Sequence, residues 1–338
     1  MIRYRAFTKT YSGRRVVDAL TFEVPRGAVV ALLGPNGSGK TTSIKAAAGL
    51  IRPTSGEVVL GDDSVNALDA RARRRVSFLP QRVSFPDTLT GRDVVEFYRR
   101  LRHAPGEAVD RALAFASLNG AGARPVRTYS GGMVQRLGLA VASVAPTDVL
   151  LLDEPTAALD PEGLQSFYEL VEVRRRAGGA VFFSSHQLGD VERLADLVAV
   201  IVAGRLVASF TERELAARLA DRGTMRVRLG AEVGGLLPRL RALSPAASWH
   251  GDELVLPGPA SARPEMLDVI REAGGEIRGL TAEEGHLDRF YRELIGEQPC
   301  GVSCARDFCS PACSAGARQD LPPRSISTPP PTCARIAG

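Results

Sequence analysis

Hydrophobic positions along this chain fall into two spacings. Short continuous apolar runs at Ala28–Leu33, Val149–Leu152, Ala180–Ser184 and Leu197–Val202 predict strands buried on both faces. Between them, apolar residues recur every three or four positions and predict helices at Thr41–Leu50, Ser130–Ala145, Pro161–Ala177 and Leu188–Ala195. Residues 90–122 are predicted helical as well, with Val94, Val95, Phe97, Tyr98 and Leu101 at helical spacing. Residues 1–26 predict two short strands that turn at Ser12-Gly13, and residues 56–85 short strands around a basic helix. Arg205–Ser209 is expected to pair with Leu197–Val202 across Ala203-Gly204, before a last helix at Thr211–Ala220. Strands alternating with helices predict a doubly wound α/β domain over residues 1–222.

The pattern restarts near Thr224. Predicted strands at Met225–Leu229, Glu253–Leu256 and Glu276–Leu280 alternate with predicted helices at Leu236–Leu243, Arg263–Ala273 and His286–Ile295. Residues 223–295 are therefore expected to form a small α+β accessory domain. Residues 296–338 hold seven prolines and all five cysteines among few apolar residues, the composition of a disordered tail.

Composition adds limits. The 338 residues are 44% hydrophobic and 24% charged, a globular balance. No apolar run approaches the ~18–20 residues of a membrane-crossing helix, and the N-terminus has no apolar signal segment. If the protein drives transport, the spanning part is expected on another polypeptide. The net charge of +5 rests on runs such as Arg71-Ala72-Arg73-Arg74-Arg75 and Arg174-Arg175-Arg176. These read as solvated helix faces. No aromatic-studded basic groove accompanies them, so no direct nucleic-acid partner is expected. The first 299 residues contain no cysteine, as suits the cytosol. In the tail, Cys300, Cys304, Cys309 and Cys313 offer thiolates to Cu(I) or Zn²⁺, although no C-x2-C pair and no histidine support them.

Candidate chemistry clusters where the apolar strands end. Gly34-Pro35-Asn36-Gly37-Ser38-Gly39-Lys40-Thr41-Thr42 follows one strand and opens a helix. Its glycines let backbone amides converge on phosphates at a helix N-terminus, with Lys40 for the β- and γ-phosphates and Thr41 for Mg²⁺. Asp153 and Glu154 end the strand Val149–Leu152, where ligands bind in such sheets. Asp153 suits Mg²⁺ coordination, and Glu154 suits a general base acting on water. Ser130, Gly131 and Gly132 open a further helix with a hydroxyl and bare amides, a second anion site.

Taken in order, these residues resemble the ATP-binding-cassette (ABC) ATPases over residues 1 to 220. The fold the resemblance implies is a phosphate-loop α/β domain with a helical signature subdomain. It further implies that Tyr11 stacks on adenine, that Gln81 touches Mg²⁺ and water, and that His186 contacts the γ-phosphate. Ala158-Leu159-Asp160 resembles the loop that communicates across a dimer. Ser130–Gly132 would cap the ATP of a second, identical subunit, so that two ATP molecules are sandwiched in a homodimer. Opening would pass to a polytopic membrane permease through residues 85–95. Tyr129 and Met133 stand where the family usually has Leu and Gln.

The accessory domain is similar to that of bacterial exporter cassettes, with Glu284–Tyr291 like their Leu-Glu-x-x-Phe helix. The run Pro125–Met133 is similar to the ATPase of nitrous-oxide-reductase maturation, which implies export of a sulfur- or copper-related species. A soluble ABC ATPase acting on nucleic acid or ribosomes is the competing expectation. Such proteins carry long coiled-coil insertions or paired cassettes, and neither pattern occurs here.

Overall fold

The computed structural model describes residues 1–157, 159–231 and 233–296. β1 (Ile2–Tyr11) and β2 (Arg14–Val24) form a hairpin whose alternation buries Ile2, Tyr4, Phe7, Val17, Leu20 and Val24. β3 (Val29–Leu33) then leads into α1 (Lys40–Ala47). β4 (Ser55–Leu60) and β5 (Val65–Asn66) complete an antiparallel sheet in the order β2-β1-β4-β5.

After α2 (Ala70–Arg74) come β6 (Val76–Leu79) and two helices, α3 (Gly91–Leu101) and α4 (Ala108–Phe115). The single helical stretch expected over 90–122 is thus two helices. His103 at φ 54° and Ala104-Pro105 break it, because a residue before proline is pushed out of the helical region. α5 (Gly131–Ser143), β7 (Val149–Asp153), α6 (Pro161–Arg176), β8 (Ala180–Ser185), α7 (Leu188–Leu194), β9 (Leu197–Val202), β10 (Arg205–Thr211) and α8 (Glu212–Ala220) follow. The second sheet has the order β10-β9-β3-β8-β7-β6 and is parallel except at β10.

This sheet is buried on both faces, which is why its strands read as unbroken apolar runs. In β3, Val30 and Leu32 join a core shared with the first sheet, while Val29, Ala31 and Leu33 join a second core under α5, α6 and α7. A third core ties α3, α4 and α5 together through Val94, Val95, Leu113 and Leu137.

One basic run departs from expectation. Arg174 is buried, and its guanidinium donates to the carbonyls of Ala142 (3.1 Å) and Ala145 (2.6 Å). The last carbonyls of α5 have no partner inside the helix, so a cation from α6 closes that end. Arg175 and Arg176 do lie outward, paired with Glu172.

β11 (Thr224–Leu229), β12 (Ser248–His250), β13 (Glu253–Pro257) and β14 (Ile277–Glu283) form a third sheet, ordered β12-β13-β11-β14. It packs with α9 (Leu236–Arg241) and α10 (Arg263–Glu272) around Val227, Leu240, Leu254 and Ile270. β12 is one strand more than expected. Three residues paired across a Gly251 turn are too short to show an alternating pattern.

The closing helix α11 (Leu287–Gly296) does not join this third core. Leu287 and Phe290 are buried in the second core instead, with the Phe290 ring 5.4 Å from that of Phe210. Among the described residues no helix is long and apolar enough to cross a membrane. The cysteine- and proline-rich tail expected to be disordered lies outside the described residues.

Candidate nucleotide site

Between β3 and α1 the chain turns so tightly that side chains are excluded. A Cβ on Gly34 would sit 2.3 Å from the Ile201 carbonyl oxygen, and one on Gly39 would sit 2.8 Å from that of Val16. Gly39 also caps α1 at φ 104°, a conformation that favours glycine. The first turn of α1 has no acidic residue and no side-chain cap, which leaves its leading amides open to an external acceptor. Lys40 is buried, and its Nζ donates to the carbonyls of Gly34 (2.8 Å) and Pro35 (3.3 Å). Ser38 is also buried, and its Oγ has no partner among the described residues.

The ends of β7 and β8 supply the facing wall. Thr41 Oγ1 donates to Asp153 Oδ1 at 3.1 Å, and Ser184 Oγ donates to the same oxygen at 2.8 Å. Burial pushes the Asp153 carboxyl above its ordinary range; the two hydroxyls pull it back, and the neighbouring Glu154 charge raises it again. Glu154 follows at φ 47°, a strained position for a side chain with a Cβ, fixed where its amide donates to Ser184 Oγ at 2.9 Å. Around its carboxylate, Lys40 Nζ lies 3.5 Å from Oε1, Gln81 Nε2 donates to Oε2 at 2.8 Å, and His186 Nδ1 lies 3.5 Å from Oε2. Glu154 is 11% exposed and His186 is 52% exposed, so one is enclosed and the other stands at the mouth.

Lys40, Thr41, Thr42, Gln81, Glu154 and His186 line one cleft of about 590 Å³, together with Gly34–Gly37 and Gly39 of the loop. Asp153 is buried behind Thr41 and does not line it. Tyr11 stands apart from the lining too, 44% exposed at the hairpin tip with Lys9 Nζ 4.8 Å from its ring centre.

Ser130, Gly131 and Gly132 are also absent from the cleft. Ser130 caps α5, accepting from the Met133 amide at 3.2 Å. A Cβ on Gly132 would lie 3.3 Å from Asp160 Oδ2. Asp160 in turn caps α6, accepting from the Gly163 amide at 2.9 Å, and lies 3.5 Å from the Arg136 guanidinium. The start of α5 and the loop before α6 are thus neighbours, although Ala158 lies outside the described residues. Tyr129 is accommodated because its hydroxyl reaches the Ala121 carbonyl (2.9 Å) over Gly91, where a Cβ would come within 2.2 Å of it.

The family model for ABC transporters matches residues 17–157. Over 300 residues the chain is 33% identical to the daunorubicin resistance ATP-binding protein DrrA3 of Streptomyces coeruleorubidus, covering 86% of this chain and 94% of that protein. The chain belongs to the ATP-binding subunits of ABC transporters. It is similar over 308 residues to the daunorubicin/doxorubicin resistance protein DrrA of Streptomyces peucetius (34% identity, 87% of this chain, 92% of the relative). The linearmycin resistance protein LnrL of Bacillus subtilis is 28% identical over 308 residues (88% and 98%). A post-hydrolysis dimer of the cassette MJ0796 bound to ADP and Pi shares the fold at TM-score 0.58 and 24% identity, covering 63% of this chain and 99% of that one. As a cassette of this family, the chain binds ATP and is an ATPase.

Sequence reasoning missed two supports of this cassette's cleft. Asp190 is buried in the first turn of α7 and accepts from Thr156 Oγ1 (2.6 Å) and the Tyr168 hydroxyl (2.8 Å), which anchors the loop after Glu154. The available signal was an aspartate four residues after His186, in the first turn of the helix that follows. Tyr291 and Ile295 of α11 also line the cleft, with no local pattern to announce them.

Proposed function

We infer that this chain is the motor of an exporter: two copies close around two ATP molecules and drive a separate polytopic permease at the inner face of the cell membrane. The convergence of Lys40, Gln81, Glu154 and His186 on one cleft, with Ser130–Gly132 opening a helix elsewhere on the same chain, carries this reading. A catalytic half and an anion-binding half that do not meet within one subunit fit a site completed by a second subunit.

Within that site, the loop amides, Ser38 Oγ and Lys40 bind the β- and γ-phosphates, and Glu154 takes the proton of the attacking water. His186 senses the γ-phosphate, Gln81 links the water site to the permease, and Tyr11 offers its exposed ring to adenine. Asp160 and Ser130–Gly132 serve the partner's ATP. Thr41, Gln81 and Asp153 form an all-oxygen donor set suited to a hard cation. They would hold Mg²⁺, which would neutralise charge on the phosphate oxygens.

Asp153 provides a check with a definite sign. Its raised carboxyl pKa makes its ionisation cost stability once pH exceeds the unfolded value, a cost absent at low pH where both states are protonated. Asp153→Asn should therefore melt roughly 2–4 °C higher than the parent at neutral pH without nucleotide. The difference should fade as pH falls toward about 4. The same variant should lose the tightening of ATP binding by Mg²⁺. Melting curves across pH, and ATP titrations with and without Mg²⁺, test both parts.

For the cargo we favour a drug-like amphiphile. The relatives are named for resistance to daunorubicin, doxorubicin and linearmycin. The sulfur or copper reading draws on residues 125–133 and on cysteines outside the described residues, and no relative named here supports it. The deciding experiment is purification from membranes. A polytopic permease should accompany the chain, and inverted vesicles holding the pair should take up daunorubicin only with ATP. An ATPase stimulated by nucleic acid or ribosomes, with no permease bound, would overturn the exporter reading.

A further inference from the structure

Helix α11 lies far from the phosphate loop in sequence, yet two of its side chains border the nucleotide cleft. Leu287, Phe290 and Leu294 form one stripe packed on the second core. Tyr291 and Ile295, four residues apart and so on one face, line the cleft with Lys40, Glu154, His186 and Leu188. The helix is held in that place from several sides. The Gly285 amide bonds the Leu219 carbonyl at 2.9 Å. Arg222 pairs with Glu293 at 3.1 Å and lies over the Phe290 ring at 4.8 Å. Just upstream, β14 belongs to the third sheet, so α11 is a strap running from that sheet to the cleft.

We propose that Tyr291 and Ile295 belong to the nucleotide site: they form a wall that bound ATP contacts within the same subunit, so that α11 registers occupancy of the cleft. The inference rests on the ATP-site reading given above. Tyr291 is half-buried and, as a tyrosine at neutral pH, meets the nucleotide as a neutral donor. A neutral hydroxyl and an aliphatic side chain add no charge against the phosphates. A strap that contacts ATP at one end and a sheet at the other gives residues 224–283 a mechanical link to the cleft.

The test uses the full chain and a non-hydrolysable ATP analogue with Mg²⁺. Tyr291→Ala combined with Ile295→Ala should weaken its binding by about 5–10-fold. A control, Leu113→Ala in the third core, should lower the melting temperature but leave the affinity unchanged. Hydrogen exchange of the unmodified protein should show protection of residues 287–296 that rises with analogue concentration. Unchanged affinity in the double variant, or no protection of α11 at saturation, would overturn the proposal. Should the double variant fold poorly, the exchange measurement on the unmodified chain decides alone. Lys40→Ala separates the two readings. If it abolishes binding while the α11 results are negative, only the α11 wall fails. If it leaves binding intact, the ATP-site reading itself fails.

Discussion

Glu154→Gln should lower ATP turnover by roughly 10²–10⁴-fold and trap a dimer that holds ATP. The substitution keeps the shape of the side chain and a hydrogen-bonding end for Gln81, 2.8 Å away, but it cannot accept the proton of the attacking water. Binding should survive, because the loop glycines, Ser38 and Lys40 are untouched. Removing the charge 3.5 Å from Lys40 also leaves that ammonium free to serve the phosphates alone. Phosphate release measured beside size-exclusion chromatography in ATP and Mg²⁺ gives both readouts. Turnover equal to that of the parent would sink the base assignment.

Gly131→Asp should cost turnover at least about 10²-fold while leaving the fold intact. A Cβ at Gly131 meets nothing within 4 Å, and a carboxylate at the start of α5 agrees with the helix dipole. The melting temperature should hold, and a single subunit should still bind ATP. The loss should arise in the dimer, where the new charge faces the partner's γ-phosphate. Mixed dimers decide whether the site is shared. With Glu154→Gln on one chain and Gly131→Asp on the other, one composite site stays intact and turnover persists. With both changes on the same chain, neither site is intact. The reverse result would mean that Ser130–Gly132 serves its own subunit's ATP.

Much of this was legible because it is local. The phosphate loop needs closely spaced glycines, a lysine and a hydroxyl between a strand and a helix, so Gly34–Thr42 announces its own geometry. Asp153 and Glu154 are read from the apolar strand they terminate, while His186 is read only through the resemblance to the ABC ATPases. Other features depend on neighbours distant in sequence. Arg174 looked like solvated charge until the unpartnered carbonyls of α5 came to lie beside it. The break at 102–107 was written in Pro105, but apolar residues on both sides of it masked the signal. β12 exists only because β13 pairs with it.

The sequence by itself determined the family, the alternation of strands and helices, and the candidate residues for binding phosphate and activating water. These follow from short-range chemistry, in which residue types at fixed spacing fix both backbone and function. Tertiary structure alone decided which of those residues meet. It gathered Lys40, Gln81, Glu154 and His186 within hydrogen-bond and ion-pair reach while keeping Ser130–Gly132 outside their cleft. It also brought α11 back from the end of the third sheet to that cleft. Such placements come from burying apolar surface between segments remote in the chain. Leu287 and Phe290 find their partner in the core beside Phe210, and Tyr291 and Ile295 are carried to the cleft with them.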